Sequence, residues 1–95
     1  MRELNLDRLR TLLAVADLGS FAAAAKALHL APPTVTLHVA QLEARLGARL
    51  LHRAPAGVTA TAAGGLLIER GRRLLAEADE LLQAVQHQIA ARGGR

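Results

Sequence analysis

Residues 31–46, APPTVTLHVAQLEARL, gather side chains suited to one kind of chemistry. Pro32 and Pro33 open the run, Thr34, Thr36 and His38 follow, and Leu37 lies among them. Two prolines at the start of an apolar-periodic segment suit the first turn of a helix, where a missing N–H costs nothing. A helix N-terminus presents free N–H groups and the positive end of the helix dipole, which suit a phosphate or an acceptor on another molecule. Threonine hydroxyls and an imidazole add short hydrogen-bonding groups that permit close approach, and proline rings add apolar surface. This is the chemistry of recognition. A solvated helix face would carry threonines too, so the pattern alone leaves that reading open.

Bond-making chemistry has little support. The chain has no cysteine, which removes disulfides and thiolate metal sites and fits a reducing compartment. His52 and His87 lack partners at metal-ligand spacing, and His29 falls in a turn. The carboxylates are scattered over outer helix faces. Gly64-Gly65 follows no long buried strand and lacks the Lys-Ser/Thr of a phosphate-binding loop. The expectation is no enzyme, no metal and no cofactor in this chain.

The 95 residues suit one domain, with a core thin enough that a partner chain would add stability. With one Phe and no Trp or Tyr, that core must be built from Leu, Val, Ile and Ala, and the abundant Ala and Leu favour helix. A net charge of +4 and a pI near 11.4 point to a polyanionic partner. Residues 1–60 hold seven Lys/Arg against four Asp/Glu, and residues 61–95 five against four, so the excess lies in the first part. Arg2, Glu3, Asp7, Arg8 and Arg10 interrupt any early apolar run, so no signal peptide is read. No stretch is long enough to span a bilayer, and a cytoplasmic chain without membrane contact is expected.

The elements that must position residues 32–38 follow from periodicity. Leu6, Leu9, Leu13 and Ala16, with Leu12 beside them, predict a helix over 6–18, stopped by Gly19. Ser20 caps a short second helix whose inner face is Phe21, Ala24, Ala25 and Leu28. After the turn at 29–31, Val35, Val39, Leu42 and Leu46 stripe a third helix over 32–46, ended by Gly47. Phe21, Ala25, Leu28, Val35, Val39 and Leu42 are expected to pack together. Residues 50–53 and 58–61 read as short strands around Ala54-Pro55-Ala56-Gly57, a small hairpin. Thr61 can cap a last helix over about 62–91, roughly 45 Å long, too long for a sixty-residue core to cover. Its apolar lines, Leu67, Leu74, Leu81 and Ile68, Leu75, Leu82, Ile89, joined by Gly71, Ala78 and Val85, repeat every seven residues like a coiled-coil seam. Arg72 and Arg73 are expected on its solvated side.

Helices two and three form a helix-turn-helix, and the hairpin makes it winged. The fold class expected is mainly α: a three-helix core with a small β-hairpin wing over residues 1–61, a long linker and dimerisation helix over 62–92, and a linker end at 93–95. Such a unit lays its third helix in the DNA major groove, where base edges differ in donors, acceptors and methyls. Periodicity alone equally allows a helical dimerisation or adaptor module without sequence-specific DNA binding.

The segment SFAAAAKALHLAPPTVTLHVAQLEARLGARLLHR, followed by VTATAAG, resembles the N-terminal DNA-binding domain of LysR-type transcriptional regulators. The shared pattern falls on Ser20-Phe21, Ala24-Ala25, Leu28, Pro33, Val35, Leu42-Glu43, Leu46-Gly47, Leu50, Arg53, Thr61 and Ala63-Gly64, and covers essentially the whole chain. The sequence departs from that pattern in several places. Ala31 stands for a usual Ser, Pro32 for Gln, Leu37 for a frequent Arg, Leu51 for Phe and Ala60 for Leu. The first three lie where the family reads bases, so a less polar readout is expected.

The resemblance implies contact of Pro32, Pro33, Thr34, Thr36 and Leu37 with double-stranded promoter DNA, with His38 either facing the groove beside them or standing as an exposed bystander. It also favours Arg53 as a contact to a phosphate or the minor groove, against a merely solvated strand arginine. It implies an antiparallel homodimer through the last helix, with Leu74, Leu81, Leu82, Val85 and Ile89 at or near the interface and a roughly palindromic site. In longer relatives a C-terminal domain would take a small-molecule effector, and RNA polymerase would be a further partner.

Overall fold

The computed structural model describes residues 4–93. Among them the chain runs α1 (Leu6–Leu18), α2 (Phe21–Leu28), α3 (Pro32–Leu46), β1 (Leu51–Ala54), β2 (Gly57–Ala60) and α4 (Ala62–Gly93). The boundaries have local causes. Asn5 Oδ1 accepts the Arg8 amide at 3.0 Å and Ser20 Oγ the Ala23 amide at 3.1 Å, so both helices start on a side-chain cap. Gly19 and Gly47 close α1 and α3 in the left-handed region, at φ 68° and 67°. His29 ends α2 in the same region at φ 57°, and the Leu30 amide completes the turn by donating to the Ala25 carbonyl.

The hairpin is shifted inward by one residue at each outer end from the expected strands. Leu51 pairs with Ala60, and Ala54 with Gly57. Gly57 takes φ 136°, open to glycine, and so leaves only Pro55-Ala56 for the turn. At the base, Thr61 leaves the strand to cap α4. Its hydroxyl donates to the Arg49 carbonyl at 2.7 Å and accepts the Gly64 amide at 3.0 Å.

The core joins Leu9, Leu12, Leu13 and Val15 of α1 to Ala24 and Ala25 of α2 and to Val35, Val39 and Leu42 of α3. Leu50, Leu51, Ile68 and Leu75 complete it. Phe21 and Leu28 are only half-buried, and Leu46, expected on the inner stripe, is exposed at the rim of a groove shared with Leu50, Leu66 and Leu67. Thr11, which no apolar period marks, is buried and donates to the Asp7 carbonyl at 3.1 Å.

The first half of α4 lies on α1. Glycine permits both close contacts: a Cβ at Gly64 would overlap the Leu50 carbonyl, and one at Gly71 would come within 2.8 Å of Leu9 Cδ1. Two charge pairs tie the helices in antiparallel register. Arg72 forks onto Asp17 at 2.7 and 2.9 Å, and Arg10 stands 3.6 Å from Asp79. Arg72 is therefore a tether rather than a solvated bystander. Its hydrogen bonds hold the Asp17 carboxyl below the usual carboxylate range, against a smaller opposing effect of partial burial. Residues 79–93 are exposed throughout, so α4 projects beyond the core. Of the expected linker end, Gly93 closes α4 and residues 94–95 lie outside the described residues. Among the described residues no helix is long and apolar enough to cross a membrane.

Candidate nucleic-acid interface

The orientation of α3 decides which of its side chains can meet a partner. Val35, Val39 and Leu42 are buried against α1 and α2. The opposite face therefore shows Pro33, Thr36, Leu37 and Ala40, all exposed, with Pro32 exposed at the tip. These residues follow the i, i+3, i+4, i+7 spacing of one helical stripe. Thr34 lies at its flank and is half-buried.

His38 does not belong to this face. It stands three residues after Val35 and four before Leu42, which turns it toward α1. There its Nδ1 lies 2.8 Å from Thr11 Oγ1. His38, a candidate for DNA contact, is thus half-buried and turned toward α1, to which it joins α3.

The helix N-terminus also differs from expectation. Pro32 and Pro33 have no N–H, the Thr34 amide donates to the Ala31 carbonyl at 2.9 Å, and Val35 makes the first regular helical bond to the same oxygen at 3.4 Å. Ala31 supplies no side-chain cap. The dipole's positive end remains, but residues 32–35 offer no free amide donor. The tip of α3 is consequently apolar.

The wing adds the cationic part. The Arg53 guanidinium lies 3.7 Å from the centroid of the Phe21 ring. This cation–π contact favours one rotamer of a long, exposed side chain that would otherwise sample many. Arg53, Arg49, Thr36 and Ala40 line one cleft of about 250 Å³ between α3 and the wing, with Phe21 and Glu43 at its wall. Glu43 holds the wing to α3. Its Oε2 accepts the Leu50 amide at 2.8 Å and the Leu51 amide at 3.4 Å, and Arg49 Nε stands 3.9 Å away. Neither the wing amides at Glu43 nor the Phe21–Arg53 stack follows from the sequence pattern. No periodicity announces either contact, though both residues sit in the quoted pattern.

A protein-family model described as "bacterial regulatory helix-turn-helix protein, lysR family" matches residues 6–65. The chain belongs to the LysR family. A relative, the SDS degradation transcriptional activation protein of a Pseudomonas species, is 41% identical over 85 residues, covering 90% of this chain and 28% of that protein. The nitrogen assimilation regulatory protein of Klebsiella aerogenes is 37% identical over 84 residues, covering 88% and 28%. The chain thus spans less than a third of these curated LysR relatives, which are transcriptional regulators rather than enzymes. Among solved structures, a complex of the CbnR DNA-binding domain with DNA matches with a TM-score of 0.80 and 39% identity, over 93% of this chain and 99% of that one. A BenM DNA-binding domain on a catB site 1 DNA matches with a TM-score of 0.88 and 29% identity, over 92% and 98%.

The second predicted surface lies on α4. Leu74, Leu81, Leu82, Val85 and Ile89 are all exposed, Leu81 at 64% and Ile89 at 63%. Leu75, on the same heptad line as Leu82 and Ile89, is buried because it falls where α4 still touches α1. Among the described residues no group of three or more His, Asp or Glu gathers to hold a metal ion.

Proposed function

We propose that this chain is the sequence-specific DNA-binding module of a bacterial LysR-type transcriptional regulator. In this reading α3 enters the major groove of double-stranded promoter DNA, and the wing meets the phosphate backbone or the minor groove. The observation that carries it is the outward stripe of Pro33, Thr36, Leu37 and Ala40, with Pro32 at the tip and Arg53 held beside it. CbnR and BenM domains of the same fold were solved on DNA, which supports the same placement here. Thr34 sits at the edge of this surface. Two copies pair through Leu74, Leu81, Leu82, Val85 and Ile89, setting two α3 helices over a roughly palindromic site. In a protein as long as the relatives, a small-molecule effector would act on the region outside this module, RNA polymerase would be a further partner, and the site of action would be the cytoplasm.

The test is selection of a duplex from a random pool, followed by titration of that duplex and of random DNA at low and at physiological salt. The selected duplex should bind about a thousandfold or more tighter. Equal binding with a steep salt slope would indicate backbone-only attachment. A dimer with no affinity for either duplex would favour the adaptor module.

A further inference from the structure

The outward face of α3 is short of hydrogen-bond donors. Pro32 and Pro33 remove two amides, and the Thr34 amide is occupied by the Ala31 carbonyl. The exposed Thr36 hydroxyl stands 3.4 Å from the Pro32 carbonyl, a long contact, so it can turn back toward that oxygen and present its methyl to a partner. Leu37, 53% exposed, and Ala40 are apolar. A solvated helix has no reason to carry this stripe opposite its buried face, whereas an exposed apolar patch marks a contact surface. Its neighbours fix the kind of partner. Arg53 and Arg49 stand on the wing side, and half-buried Thr34 and Gln41 on the other. An apolar strip bordered by cations fits a polyanion that presents apolar groups in a groove. In DNA the group of that kind on a major-groove base edge is the thymine C5 methyl.

We infer that the LysR-type module reads its half-site chiefly through thymine methyls, packed against Pro33, Leu37 and Ala40, rather than through bidentate hydrogen bonds to purines. The inference rests on the DNA-binding reading above and names the base feature that reading leaves open. Phosphate contacts from Arg53 position the helix, and Leu37 is the residue that selects. Because methyl packing involves no ion release, its contribution is independent of salt, unlike that of an arginine on a phosphate.

The experiment takes the duplex selected from the random pool and replaces each thymidine in turn by deoxyuridine, which removes one methyl and nothing else. At one or more positions per half-site the affinity should fall about fourfold per contacted methyl, by the same factor at low and physiological salt. Leu37→Ala should bind thymidine and deoxyuridine duplexes alike at a Leu37-contacted position. Leu37→Arg should shift a fresh selection toward guanine at that position, since arginine reads O6 and N7. If the selected duplex keeps its advantage over random DNA while every deoxyuridine is neutral, the methyl inference falls and the DNA-binding reading stands. If no duplex is enriched over random DNA, both fall. Leu37 is exposed, so its variants should melt with the parent. A Leu37→Ala chain that melts normally yet keeps the full deoxyuridine penalty everywhere would remove Leu37 from the readout.

Discussion

The Arg53 guanidinium stands 3.7 Å from the centre of the Phe21 ring, so the wing's cation is held by the first residue of α2. A contact of this kind at an exposed site contributes about 0.5–1 kcal/mol, enough to favour one arginine rotamer among many. Arg53→Ala should weaken binding evenly across sequences and lower the salt slope by about one unit. Phe21→Leu should weaken binding less, by releasing the arginine rather than removing it, and should leave the slope near the parent value. Titrations over a range of salt concentrations check both. A change of base preference in Arg53→Ala would assign Arg53 to base reading instead of phosphate.

Gly64 sits in the Thr-x-Ala-Gly part of the pattern for a steric reason. Any Cβ there would overlap the Leu50 carbonyl, which is backbone and cannot turn aside. Gly64→Ala should therefore destabilise the domain by about 1–3 kcal/mol, as overpacking does, while Gly65→Ala, with open space around it, should have little effect. Paired denaturant melts of the two variants decide this, and equal midpoints would refute the close approach of α4 to Leu50.

The helices, the Ser20 and Thr61 caps, the Gly19 and Gly47 stops and the hairpin are legible in the sequence because glycine, proline and hydroxyl residues mark ends and apolar spacing marks faces, whereas the Asn5 cap of α1 and the His29 stop of α2 are not. What escaped was contact between distant segments. His38 reads as an outward polar residue until Thr11, 27 positions away, is placed beside it. Glu43 reads as one more carboxylate on an outer helix face until two wing amides arrive at its side chain. Arg72 reads as a solvated helix residue until Asp17 comes within reach. In each case one polar side chain meets another segment across the fold, and no local period records such a meeting. The loss of free amides at the tip of α3 was deducible, since proline has none, but the Thr34–Ala31 bond was not.

The Asp17–Arg72 fork predicts a pH dependence. The arginine lowers the folded-state pKa of Asp17, so the pair's contribution is fully present above the unfolded carboxylate value, about 4. It is lost as pH falls through the still lower folded value. Asp17→Asn should lower the melting temperature slightly at neutral pH, because both side chains are about half exposed. The difference from the parent should shrink toward zero in acid, and also at high salt. Melts of both chains along a pH series check the sign. A gap that widens in acid would mean that Asp17 stabilises the fold in its protonated form.

The exposed leucines of α4 carry the last prediction. Leu81, Leu82, Val85 and Ile89 lie beyond the part of the helix that α1 covers. An exposed apolar stripe of that length suits association, and in the proposed dimer a second copy would supply the matching stripe through two-fold symmetry. Leu81→Asp would bury an unpaired carboxylate in that pairing, and should dissociate the dimer while most of the helical content persists. Affinity for a duplex with two half-sites should then fall far more than affinity for one half-site, because the second, tethered contact is lost. Sedimentation and circular dichroism of the variant, with titration of both duplexes, make the check. A parent chain that sediments as a monomer at micromolar concentration would overturn the α4 dimer, and equal losses on the two duplexes would show that pairing does not couple the half-sites.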